Sequence, residues 1–64
     1  MAINLKAARV NAGLTQEEAA KELNISRNTI RSYEQYRSKP DIATAQKLAA
    51  LYGMSVNDII FFAQ

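Results

Sequence analysis

The chain is predicted to be all-α, a compact bundle of about five short helices, and three observations predict it. Residues able to cap a helix N-terminus recur at short intervals, at Thr15, Ser26, Asp41 and Ser55. The apolar residues between them fall at helical spacing, as in Ala19, Ala20 and Leu23, or Ala45, Leu48, Ala49 and Tyr52. Gly13, Asn24 and Gly53 stand where helices have to stop. With 64 residues, no Gly/Ser-rich linker, no repeat and no low-complexity tract, the chain is expected to form a single domain over residues 1–64 with a modest core.

The first helix is expected from about Ile3 to Ala12, with Leu5, Ala8 and Ala12 on one stripe and Gly13 just past its end. Leu14 anchors the chain before Thr15, whose hydroxyl can cap a second helix while Glu18, three residues on, reaches back to the cap N–H. Adjacent alanines, Ala19 and Ala20, let another backbone approach closely. Asn24 supplies the left-handed residue that ends this helix. Ile25 plugs the angle, and Ser26 caps a third helix beginning near Arg27. In that helix Ile30 and Tyr33 share the inner face, while Arg27, Asn28, Arg31, Ser32 and Gln35 lie opposite. Two short helices joined by so tight a turn, over about residues 15–35, make a helix-turn-helix.

Beyond the third helix, Gln35 to Lys39 is a polar, basic loop, and Pro40 and Asp41 introduce a fourth helix capped by Asp41. Its expected inner face is Ile42, Ala45, Leu48, Ala49 and Tyr52, and Gly53 ends it. Ser55, with Asp58 three residues on, is expected to cap a short fifth helix whose apolar contacts are Val56, Ile59 and Ile60. Phe61 and Phe62 are too many for one short helical face. One of them is expected to close the core, and the other is left for the surface or a partner.

Composition removes several classes of function. The chain has no cysteine and no histidine, so disulfides, a zinc site and the common nucleophile and general-base pairings are not expected; no cofactor is implied, and an enzyme is the remote reading. No apolar run approaches the ~20 residues of a membrane span, and MAINLKAARV lacks the apolar core of a signal peptide, so a cytoplasmic location is the default expectation. The net charge of +2 argues little by itself, but its distribution does. Residues 26–40 carry Arg27, Arg31, Arg37 and Lys39 against Glu34 alone, a net +3, whereas the remainder is net −1.

That basic segment coincides with the polar face of the third helix. Most polar helical faces simply meet water. Arg and Asn in a first helical turn, however, have the chemistry to read a DNA major groove, Arg on a guanine edge and Asn on an adenine edge. Arg37 and Lys39, on a loop beside that helix, suit phosphates. Arg9, four residues after Leu5, and Glu34, four after Ile30, lie beside inward faces and are expected to pair.

The stretch LTQEEAAKELNISRNTIRSYE followed by SKPDIATAQKLAALYGMSVNDI resembles the Cro and lambda-repressor family of helix-turn-helix regulators, also called the XRE family, over about residues 3 to 60. The LTQEE start, the IS turn, the TI and YE of the third helix and the later KP and LA..YGMS elements come in the family's order. The resemblance implies a lambda-repressor-like DNA-binding domain that binds double-stranded operator DNA as a homodimer, with the third helix in the major groove. It implies base reading by Arg27, Asn28 and Ser32. It also implies contacts to phosphate, or support of neighbouring side chains, by Gln16, Thr29, Arg37 and Lys39, and the Arg9–Glu34 contact; Arg31, whose position and reach allow either a base or a phosphate contact, is expected on phosphate. Regulation of transcription by repression is the simplest mechanism. A protein-interaction module on the same fold, such as an antitoxin, is the alternative. A chain this short has no room for an effector domain, so regulation is expected from a partner or from concentration. Tyr36 departs from the family, which usually has glycine there. A bulky residue in the left-handed region is strained, so the third helix is expected to run through Tyr36 or to end differently.

Overall fold

The computed structural model describes residues 2–62. Among these the chain forms strand β1 (Ile3–Asn4), helices α1 (Leu5–Asn11), α2 (Gln16–Leu23), α3 (Arg27–Glu34) and α4 (Ile42–Leu51), a 3-10 turn (Val56–Asp58) and strand β2 (Ile59–Ile60). The two strands pair in parallel, Ile3 opposite Ile59 and Asn4 opposite Ile60. The start of the first helix is therefore tied to the end of the chain.

The helix boundaries follow from capping chemistry. Thr15 and Glu18 form a complete capping box: Thr15 Oγ1 accepts the Glu18 N–H at 3.1 Å, and the Thr15 N–H donates to the Glu18 carboxylate at 2.9 Å. Donation from the Thr15 backbone N–H first, and from its hydroxyl second, holds the Glu18 carboxyl below its ordinary range. Asp41 caps α4 by accepting the Thr44 N–H at 2.7 Å, and its carboxyl is depressed by the Thr44 hydroxyl first and the Thr44 N–H second. Asn24 ends α2 at φ 56°, ψ 42°, and Gly13 and Gly53 turn the chain at φ 76° and 69°.

Leu5, Ile30 and Leu48, from α1, α3 and α4, are the largest fully buried side chains and define the centre of the core. Ala8, Ala19, Ala20 and Ala49 surround them, so the helices cross with little side chain between their backbones. Tyr52, Ile59 and Phe61 are buried in the same cluster.

Four expectations need correction. The first helix begins at Leu5, because Asn4 Oδ1 accepts the Ala7 N–H at 2.7 Å and caps it there. Ala12, placed on the inner stripe, follows the last helical residue and is exposed. Ile42, placed on the inner face of α4, is 79% exposed, because the inward stripe of α4 starts only at Ala45 and runs on to Leu48 and Ala49. The fifth helix does not form. Ser55 Oγ accepts the Asn57 N–H at 3.2 Å and caps only a 3-10 turn, after which Ile59 and Phe61 point inward with half-buried Ile60 between them. That alternation is a strand's period, and the β-branched pair Ile59 and Ile60 favours it. Among the described residues the bundle thus has four α-helices plus a short parallel strand pair. Phe61 is buried and Phe62 is half exposed.

The expectation for Tyr36 is also overturned. α3 ends at Glu34, and Tyr36 adopts φ 59°. The Arg37 N–H donates to Ser32 O at 2.9 Å, and the Tyr36 N–H to Tyr33 O at 3.1 Å, which is the hydrogen-bonded helix ending that demands a left-handed residue. What offsets the strain is the phenol, whose hydroxyl donates to Ile60 O at 2.9 Å and fastens the loop to β2. Tyr36→Phe keeps the ring and loses the donor, so it is expected to cost ~1 kcal/mol in a denaturant melt. No change would mean that water replaces the bond.

Candidate nucleic-acid interface

The geometry of α3 is set from inside. Ile30 is 1% exposed and fixes the helix rotation, so Arg27, Asn28 and Arg31 face outward and are exposed, with Ser32 half-buried beside them. Ser26 starts the helix. Its Oγ accepts the Thr29 N–H at 3.1 Å and lies 2.9 Å from Thr29 Oγ1, so the Thr29 hydroxyl is occupied in holding the cap. Arg37 and Lys39 are exposed on the loop after α3, and the Lys39 Nζ stands 5.5 Å from the centre of the Phe62 ring. α3 thus presents two cations and an amide outward, and the loop after it exposes two further cations.

Behind it lies an ion pair. Arg9 Nε donates to Glu34 Oε2 at 2.7 Å and Nη2 to Oε1 at 3.2 Å, a bidentate fork with both side chains at most 10% exposed. Arg9 Nη1 donates to Leu14 O at 2.9 Å, and Gln16 Nε2 donates to Glu34 Oε1 at 3.0 Å. Gln16 therefore supports Glu34 through its amide, joining the start of α2 to the end of α3. The hydrogen bond to Glu34 raises the Arg9 pKa above its already high ordinary value.

Tyr52 packs near this pair. Its pKa is pushed up to about 12 by burial first and by the Glu34 charge second, so the fold favours the neutral phenol. A raised folded-state pKa contributes stability that is complete below the unfolded value near 10 and is lost as pH rises towards 12. The alkaline loss is expected to be on the order of 2 kcal/mol, and Tyr52→Phe should remove that component from a stability profile between pH 9 and 12. An unchanged profile in Tyr52→Phe would assign the loss to other groups.

One contact has no signal in the sequence. Arg27 Nη1 donates to Glu17 Oε1 at 3.1 Å, across ten residues, and both side chains are well exposed. Only the angle between α2 and α3 brings the two helix starts together. They border an open concavity of about 430 Å³ lined by Arg9, Thr15, Gln16, Glu17 and Arg27.

The helix-turn-helix model matches residues 5–59, from the first residue of α1 to β2. The chain belongs to the XRE-type helix-turn-helix family. It is similar to the HTH-type transcriptional regulator ImmR of Bacillus subtilis, 45% identical over 56 residues, which cover 88% of this chain and 44% of ImmR. It is also similar to an HTH-type transcriptional regulator of Methanocaldococcus jannaschii, 38% identical over 58 residues, covering 91% of this chain and 88% of that one. The cryptic phage CTXphi transcriptional repressor RstR of Vibrio cholerae is 35% identical over 52 residues, covering 81% of this chain and 47% of RstR. The chain thus spans about half the length of ImmR and of RstR, and most of the archaeal relative. No solved structure gives a significant match. In this XRE-type helix-turn-helix chain, α2 and α3 are the two helices of the motif. Among the described residues, no helix is long and apolar enough to cross a membrane.

Proposed function

We propose that this XRE-type chain binds operator DNA sequence-specifically as a homodimer in the cytoplasm and represses transcription, with residues 1–64 forming one DNA-binding domain. α3 lies in the major groove, with Arg27, Asn28 and Ser32 on base edges and Arg31, Arg37 and Lys39 on phosphates. Gln16, at the start of α2, and Thr29, in the first turn of α3, support these contacts. The observation that carries the reading is the outward face of α3, which bears Arg27, Asn28 and Arg31 without an aliphatic residue while Ile30 fixes its rotation from behind. Such a face is matched to phosphates and base edges better than to a protein groove. RstR, to which the chain is similar, is a transcriptional repressor, which supports repression.

A second reading, a protein-interaction module such as an antitoxin, has one observation on its side. Ile42, Val56 and Phe62 stand exposed around an apolar concavity of about 200 Å³. Selection of bound duplexes from a random pool at fixed salt separates the two. A recovered motif is expected, as is a salt dependence whose slope falls by ~1 in Arg37→Ala and again in Lys39→Ala, with sequence preference unchanged. Recovery of no motif would give the second reading its place.

A further inference from the structure

The Glu17–Arg27 contact is the one feature of the α3 surface that DNA binding as described does not use. An exposed ion pair adds little to stability, and Glu17 presents a carboxylate on the rim where phosphates are to be bound, which opposes association. Glu18 already serves the capping box at this helix start, so Glu17 is not needed for that purpose either. The contact does have a consequence for Arg27. Glu17 Oε1 engages Nη1 alone, leaving the Nε and Nη2 hydrogens of the guanidinium free. A guanine edge takes two parallel N–H donors from such a fork.

We infer that Glu17 is a positioning residue for Arg27, holding its guanidinium for a base edge and keeping it from collapsing onto a neighbouring phosphate. The inference rests on the reading in which Arg27 contacts a base. Arg27 is long and flexible, and beside a duplex the nearest phosphate competes for it. A carboxylate at 3.1 Å restrains the head group and repels phosphate oxygens from the same space. Poorly registered complexes on unrelated sequences are thereby disfavoured, and specificity is gained at some expense of total affinity.

The test compares the parent, Glu17→Gln, Arg27→Ala, the double variant and Glu22→Gln. Glu22 changes charge equally on the edge of α2 that borders Lys47 and Leu51. Each variant is first checked by thermal melt. Preferred sites are then selected from a random duplex pool, and affinities for the selected site and a scrambled duplex are measured at one salt concentration. Arg27→Ala should relax one base position. Glu17→Gln should reduce preference at that same position by about three- to tenfold while tightening binding to the scrambled duplex more than Glu22→Gln does. It should change preference no further in the Arg27→Ala background. If Arg27→Ala relaxes a position that Glu17→Gln leaves intact, or if Glu17→Gln and Glu22→Gln act alike, the positioning role is overturned and base reading by Arg27 stands. If Arg27→Ala relaxes nothing, base reading by Arg27 fails and the positioning role with it, so the Arg27 single variant tells the two failures apart.

Discussion

Glu34→Ala is expected to destabilise the fold by roughly 2 to 4 kcal/mol, because it strands a charge that the surrounding structure cannot solvate. Arg9 is only 8% exposed, and two of its three bonded nitrogens, Nε and Nη2, point at the Glu34 carboxylate. The Gln16 amide would lose its acceptor as well. For a chain of this length, total stability is of the order of 3 to 10 kcal/mol, so the loss is a large share of it. The pair need not be net stabilising for this to hold, since desolvating two charges offsets much of their attraction. A double variant, Arg9→Met with Glu34→Leu, is therefore expected to be more stable than Glu34→Ala alone. Urea melts of the parent and the variants check this. An unshifted midpoint in Glu34→Ala would show that water reaches Arg9 and that the pair is not a buried one.

The same network shows what the sequence could reveal. Arg9 and Glu34 were legible because each lies one helical turn from a core residue, Leu5 or Ile30, so both were directed to the interior where only a partner of opposite sign is tolerated. The caps at Thr15, Ser26 and Asp41 were legible because capping is local: donor and acceptor lie within three residues. The C-terminal part was not. Val56, Ile59 and Ile60 fit a helical stripe by spacing, and what decided against it was pairing with Ile3 and Asn4 at the other end of the chain, which no local pattern contains. Tyr36 failed for a related reason. Its left-handed backbone is unfavourable locally, and the hydrogen bond to Ile60 that compensates is 24 residues away. At the surface, the residue types of α3 indicated its chemistry, but the bond from Arg27 to Glu17 depends on the crossing of α2 and α3 and was invisible until the fold was known.

Arg27→Ala and Asn28→Ala are each expected to relax a different base position in the selected site, by roughly 1 to 3 kcal/mol of discrimination. Both occupy the first turn of α3, the part that enters deepest when such a helix docks in the major groove, and both are exposed. Their chemistries are distinct. Arg27 has only donors and suits the two acceptors of guanine, whereas the Asn28 amide donates and accepts and so matches adenine. Ser32, half-buried a turn further on, can add one short bond and should contribute less. Arg31 is the rival for base reading, since it shares the outward face and has the reach. One turn further from the helix start, it is assigned to phosphate, so Arg31→Ala should weaken all duplexes alike and lower the salt slope by ~1. The comparison is three separate selections at one salt concentration, with a salt series on the preferred and a scrambled duplex. If Arg27→Ala and Asn28→Ala both kept the parental preference while Arg31→Ala lost it, α3 would have to sit rotated in the groove, with its second turn against the bases, and the assignment of Arg27 and Asn28 would be wrong.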